Sequence, residues 1–235
     1  WEVAHVGDPM RDLGWMCTNS WRFGASDPVG GFGQYEDMFK GYEDESGKAV
    51  DPDHVKFWEV FGSFWWSVGC LGMAEHYRSG PDQTVERPAI GRRTSECQVD
   101  CVNLLIPGPV EMVEESPGFS SVDIPRTDEL LVSVRDFLRN DVMDETTGRA
   151  NFLSRVAANS LDIVLRELTL GPIHQALELD RLQVLLQSDE GLDALKRRLV
   201  TGLRDGQISL DNEALQNHLR QTVVNQIAID QPRYS

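Results

Sequence analysis

Positive charge is scarce in this chain. Lysine and arginine total 22 against 38 aspartates and glutamates, a formal net charge of −16 over 235 residues. Neutralising a phosphate backbone needs clustered cations, so this balance argues against nucleic acid as a partner. An acidic surface would suit a cationic substrate, and it is equally the surface of an ordinary acidic cytoplasmic protein. Cysteine is also sparse, with only Cys17, Cys70, Cys97 and Cys101. No C-x-x-C pair with nearby histidines accompanies them, which argues against a zinc site; reduced thiols in a cytoplasmic interior are expected instead.

Long apolar runs are missing as well. The uncharged stretch "VFGSFWWSVGCLGMA", Val60 to Ala74, is shorter than the ~20 residues that a membrane-spanning helix needs. Glu59 and Glu75 bracket it, and Gly62, Gly69 and Gly72 interrupt it. It is expected to be a helix buried within a helical domain, with no membrane as partner.

Tryptophan is absent from most of the chain. Trp1, Trp15, Trp21, Trp58, Trp65 and Trp66 all precede residue 67, and no cysteine follows residue 101. Beyond that point the apolar content is mostly Leu, Val and Ile. Between the two compositions lies "PGPVEMVEESPGFSSVDIP", Pro107 to Pro125, rich in proline and serine and without a sustained period, the composition of a linker. Two domains are expected, residues 1–106 and 126–235, joined by a linker at 107–125.

No segment alternates convincingly over the length of a strand, so the expected fold class is all-α. In the first half, Asp8-Pro9 and Asp51-Pro52 read as cap and first-turn pairs, the second opening a long helix to about Arg78 that Gly80-Pro81 stops. A short helix is expected over Tyr35–Tyr42 and another over Ala89–Leu105. In the second half, apolar residues at period 3.6 predict a bundle of about five helices. One is capped by Thr127 or Asp128, and one runs from about Arg149 to Leu170 and ends at Gly171-Pro172. A third follows at once, a fourth is capped by Ser188 or Asp189, and a fifth by Asp211.

The stretch W-E-x-A-H-x-G-D-P-x-x-D-L, Trp1 to Leu13, resembles the aminoglycoside-phosphotransferase-like kinases, especially the branch associated with acyl-CoA dehydrogenases. The resemblance continues through "SWRFG" at Ser20–Gly24, "GGFG" at Gly30–Gly33, "FWEVFG" at Phe57–Gly62 and "AIGRR" at Ala89–Arg93, covering about the first 105 residues. It implies the helical, acceptor-binding C-terminal part of a kinase-like phosphotransferase fold. In that family the opening segment directly follows a metal-binding Asp, in I-D-W-E, so an Asp is expected immediately before Trp1 and the catalytic lobe upstream of it.

Phosphoryl transfer needs phosphate-cradling groups, a base for the acceptor hydroxyl and ligands for Mg²⁺. The family takes these from an H-G-D-x-x-x-x-N loop and from the Asp before the Trp. No His-Gly-Asp and no P-loop Gly-Lys-Ser/Thr occurs in this chain, and "HVGD" at His5–Asp8 has the wrong spacing. No catalytic residue and no metal ligand is therefore assigned within the chain, while ATP and Mg²⁺ are implied for the intact family member. The resemblance makes Asp8 and Asp12 structural, bracing the catalytic loop through buried hydrogen bonds, and sets Glu2 at the periphery of the nucleotide-metal site. For the acceptor, the dehydrogenase-linked branch implies a hydroxylated acyl-CoA, which an aromatic cleft near Trp58, Trp65 and Trp66 would accommodate. A cationic aminoglycoside would instead favour the acidic "YEDESG" at Tyr42–Gly47.

Residues from about 120 onward resemble an uncharacterised helical domain that accompanies such phosphotransferases, on "RVAANSLDIVLREL" at Arg155–Leu168 and "IAIDQPRY" at Ile227–Tyr234. Arg155 and Asn159 are spaced to share a helical face, with Arg166 beyond them, as either a ligand site or an internal polar network. Two functions are expected as alternatives for the chain, beside the possibility that its second half is itself a small-molecule binding domain. In one, the chain is the acceptor-binding and supporting part of a phosphotransferase, inactive without its upstream lobe. In the other, it is a helical interaction module that docks on a separate kinase lobe or on an acyl-CoA dehydrogenase through apolar surface near Leu13 and Trp15.

Overall fold

Short polar side chains fix where several helices begin. In the computed structural model, which describes residues 5–113 and 125–234, the Asp8 carboxylate accepts the Met10 N–H at 2.9 Å and opens α1 (Pro9–Cys17). Asp51 does the same for α3 (Pro52–Ser79), accepting from Asp53 at 3.1 Å. Both helices carry proline in the first turn, where its missing N–H has no intrahelical role. Between them, α2 (Tyr35–Ser46) ends on Gly47, whose φ of 67° is the left-handed close that glycine makes without strain.

After α3 come α4 (Glu86–Arg92), α5 (Thr94–Leu105), α6 (Thr127–Phe137), a π-helical turn (Leu138–Val142) and the single turn α7 (Met143–Glu145). The chain finishes with α8 (Gly148–Leu186), α9 (Leu192–Arg204) and α10 (Glu213–Asp230). All these elements are helical and no strand forms among the described residues, as the patterning implied. None of the described helices is long and apolar enough to cross a membrane.

Several boundaries differ from those read in the sequence, among them the cap of α6, which is Arg126 rather than Thr127 or Asp128, its backbone N–H bonded to Glu129 at 2.8 Å. The stretch expected as one helix to Leu105 is two, α4 and α5, joined through Arg93. Here the Ser95 hydroxyl takes the Arg92 carbonyl at 3.0 Å, and Thr94 reaches the Ser67 carbonyl of α3 at 3.3 Å. Gly171-Pro172 does not end a helix, because α8 runs through both for 39 residues, about 58 Å at 1.5 Å per residue. Pro172 removes one backbone donor, and tertiary contact outweighs that cost: Leu170, Gly171 and His174 on either side are all buried. The caps of α9 and α10 are Gly191 and Asn212 rather than Ser188 or Asp189 and Asp211; the Asn212 side chain accepts from Leu215 at 3.1 Å.

The segment Val60–Ala74 is buried on one face only. Gly62, Ser63 and Cys70 are enclosed, whereas Phe64, Val68 and Leu71 are more than half exposed. All four thiols are free, and burial, reinforced by the nearby Glu59 charge, pushes that of Cys17 up to about 12, so it stays protonated.

Packing falls into separate clusters. Met10, Cys17, Val29 and Val55 form one between α1 and α3, while Leu182, Leu195, Leu199 and Leu215 close α8, α9 and α10 on each other. A third, Ile163, Leu170 and Ile229, lies in the α8–α10 seam, with Val113 from the segment after α5 against it. The last helix is the hinge pin of the arrangement: α10 packs against α8 and also against α5 of the first half, and α4 meets α8.

The α1–α3 crossing depends on Gly14. A Cβ there would lie 2.5 Å from the Trp58 Cβ and 2.7 Å from the Glu59 backbone nitrogen, closer than packed atoms approach. Gly14→Ala is expected to cost about 1–3 kcal/mol by overpacking. Gly41→Ala, in the open middle of α2 with nothing near its added Cβ, is expected to be neutral or to stabilise by up to ~1 kcal/mol. Urea denaturation of the two variants gives the opposed signs.

A candidate site over two buried carboxylates

Position 59 falls one helical turn after Val55 and one before Ser63, so Glu59 belongs to the inward face of α3 and is only 3% exposed. Asp100 occupies the equivalent inward position on α5, beside Cys97 and Cys101. Buried charges need partners, and each carboxylate has them. Glu59 accepts from the Arg22 guanidinium at 3.1 Å and from the Tyr35 hydroxyl, which stands 3.1 Å from both its oxygens. Arg22 is itself held by the carbonyls of Cys17 at 2.7 Å and Pro28 at 3.0 Å. Asp100 accepts from the Asn19 amide at 2.9 Å and from the Tyr234 hydroxyl at 2.8 Å.

Glu59, Asp100, Asn19 and Arg22, together with Asn103 and the Gly24–Ser26 turn, line an open cleft of about 440 Å³. Burial raises the pKa of both carboxyls above the ordinary range, against the lowering effect of Tyr35 and Arg22 at Glu59 and of Asn19 and Tyr234 at Asp100. The folded protein therefore holds these two protons more tightly than the unfolded chain does. Their contribution to stability falls as pH rises upward from the normal carboxylate range.

The floor of the cleft is pinned rather than mobile. Each carboxylate keeps spare lone pairs that can accept from a hydroxylated or cationic ligand. A catalytic Mg²⁺ does not fit there, because a bound guanidinium already neutralises Glu59 and the oxygens are turned to protein donors. Among the described residues no group of three His, Cys, Asp or Glu side chains is placed to hold a metal ion.

The residues singled out in the sequence lie elsewhere. Glu2 falls outside the described residues. Asp8 caps α1 and also accepts from the Trp58 indole at 3.0 Å, with His54 at 2.7 Å, tying the opening turn to α3. Asp12 is exposed in the first turn of α1. Trp65 and Trp66 join one aromatic chain, Trp65 edge-on to Trp15, Trp15 4.9 Å from Trp21 and Trp66 tilted against Trp21, while Trp58 stands edge-on to Phe61. Arg155 turns back to Asn151 at 3.3 Å. Asn159 and Arg166 do share a cleft, of about 500 Å³. There Asn159 accepts from Arg139 at 3.3 Å, and Arg166 donates to the Ile229 carbonyl at 2.6 Å, satisfying the end of α10.

Glu59, Asp100, Asn19, Arg22 and Tyr234 were not singled out, yet a signal existed. Arg22 lies in "SWRFG", Glu59 in "FWEVFG" and Tyr234 in "IAIDQPRY". A charged residue in phase with an apolar helical face is the pattern that marks a buried, partnered group.

Residues 144–234 match the family model described as a domain of unknown function (DUF6285), well under half of the chain. No curated protein and no solved structure matches the chain. The matched segment includes α8, α9, α10 and the turn that carries Tyr234, so its far end bonds Asn19 and Asp100, two residues of the cleft lining.

Arg22→Met removes the cation from Glu59 and is expected to cost about 3–5 kcal/mol, the penalty of stranding a buried charge. Adding Glu59→Gln is expected to recover a large part of that loss. Chemical denaturation of the single and double variants checks the coupling.

Proposed function

We propose that this chain is the helical, acceptor-side part of a phosphotransferase-like protein, followed by an accessory helical domain clasped to it. ATP and Mg²⁺ belong, in this reading, to an upstream catalytic lobe. The acceptor lies in the cleft over Glu59 and Asp100, where a hydroxyl finds carboxylate oxygens to bond. The observation that carries the reading is that the motif at the end of the second half, Ile227–Tyr234, docks by polar contacts onto the first half. Tyr234 from "IAIDQPRY" bonds Asp100, which shares Asn19 with it, and Asp230 of the same motif pairs with Arg92 of "AIGRR" at 3.2 Å. The Arg92–Asp230 pair joins motifs of the two halves 138 positions apart in sequence, and that contact supports a shared role for the two halves.

A second reading treats the chain as a non-enzymatic docking module, and one observation favours it. Phe57, Phe61, Phe64, Val68 and Leu71 recur on α3 at alternating spacings of four and three, and all but Phe61 are exposed. That spacing is the seam of helix-on-helix packing. The occupant in this reading is the upstream lobe, and an acyl-CoA dehydrogenase is the alternative partner.

Isothermal titration with Mg-ATP separates the cases. The 235-residue chain alone is expected to bind no nucleotide, and the chain joined to its upstream lobe to bind it and to phosphorylate a hydroxyacyl-CoA acceptor. Phosphoryl transfer by the chain alone would overturn the first reading. For the second, light scattering is expected to show a complex with the separate lobe that Phe64→Glu and Val68→Glu abolish.

A further inference from the structure

Unmet polar groups concentrate in one seam. Between α8 and α10, the Arg181 Nε and Nη2, the Nδ1 of His174 and of His218, and the Thr222 hydroxyl are buried and make no hydrogen bond among the described residues. Buried polar atoms are nearly always paired, so the four of these on Arg181, His174 and Thr222, residues that line one cavity, ask for a common partner. His174 and His218 are 8% and 4% exposed. Two cavities meet at this point, one of about 150 Å³ and one of about 530 Å³, and Arg181 and Asn225 line both.

The charges that face the seam leave it short of anions. Glu178 is taken by Lys196 of α9 at 2.7 Å, and Glu167 by Arg92 of α4. Asp180 and Glu111 are exposed at the outer rim. Arg181 is thus a half-buried cation whose guanidinium has one complete edge unbonded. The Nε–H and Nη2–H of that edge point in parallel and fit two oxygens of a carboxylate or phosphate at once. The histidine rings stay neutral beside it: burial, then the Arg181 charge, lowers both, that of His218 to about 4. A neutral ring offers a donor or an acceptor without adding repulsion.

We propose that the α8–α10 seam is a binding site for a small oxyanion-bearing ligand, a carboxylate or a phosphate, gripped side-on by Arg181 with Thr222 and His174 as neutral partners. This site is separate from the cleft over Glu59 and Asp100 and does not depend on the phosphotransferase reading. It gives the accessory helical domain a ligand of its own. The strap over its mouth is the segment after α5, where the Gln221 amide bonds both the N–H and the carbonyl of Glu111.

The test titrates the full chain with inorganic phosphate and, in parallel, with succinate, at ionic strength matched by sodium chloride because a chain of charge −16 gains from screening alone. Calorimetry and melting temperature are read together with the ring-nitrogen NMR signals of His174 and His218. A saturable heat, a rise in melting temperature above the chloride control and shifted ring signals are expected with at least one probe. Phosphate alone points to a phosphorylated ligand, and succinate alone to a carboxylate. Arg181→Met is expected to abolish the response while melting no lower than the parent without probe, since it removes a buried unpaired cation. Should that variant not fold, Thr222→Val is expected to weaken binding several-fold. No response to either probe at about 20 mM, a concentration that would saturate a millimolar site, overturns the proposal. So does an unchanged response in both variants.

Discussion

The Asp100 carboxylate holds the two halves of this protein in register. It sits on α5, in the interior of the first half, and two of the groups that reach it are Asn19 from beside α1 and Tyr234 from beyond α10. The Tyr234 hydroxyl also stands 3.1 Å from the Asn19 amide, closing a three-membered network across the chain. Around it, Arg92 pairs with Asp230, and Arg166 satisfies the last carbonyls of α10. A helix end whose carbonyls were buried without partners would be costly, so these contacts also set where α10 stops.

An interface of this kind does little for stability and much for position. Burying a carboxylate costs most of what its hydrogen bonds return, so an apolar contact of equal size would hold the halves as firmly. An apolar contact would also tolerate sliding by a turn. Asp100 accepts only where donors stand at bonding distance, and the α10 end fits in one register. The walls of the cleft over Glu59 come from the Asn19–Ser26 turn, α3 and α5, all in the first half, and the second half touches this region where Tyr234 bonds Asn19 and Asp100.

Much of the fold was legible in the sequence. Cap-plus-proline pairs gave α1 and α3, and the period of the apolar residues gave the helical class. The helix caps were missed by a residue or two on local grounds, whereas the larger failures share one cause, local signals overridden by contacts distant in sequence. Gly171-Pro172 reads as a stop, yet burial against α10 carries α8 through it. The Ala89–Leu105 stretch reads as continuous, yet Gly91 lies so close to Ala74 that a Cβ there would stand 2.9 Å from it, and α4 and α5 meet α3 separately. Site residues were harder to see for the same reason. The Trp58, Trp65 and Trp66 side chains are conspicuous in sequence but take different neighbours, while Glu59, one position along, turns inward because a helix sends adjacent residues to different faces.

α3 ties these threads together. Its inner face carries Val55, Glu59, Gly62, Ser63 and Cys70 and sets the floor of the cleft. Its outer face carries Phe57, Phe64, Val68 and Leu71 and meets water. The inner face is held where α1 crosses it, since a Cβ at Gly14 or Gly62 would stand 2.5 Å or 2.6 Å from its nearest neighbour; that crossing and the Arg22 and Tyr35 bonds, rather than the outer face, set the position of Glu59.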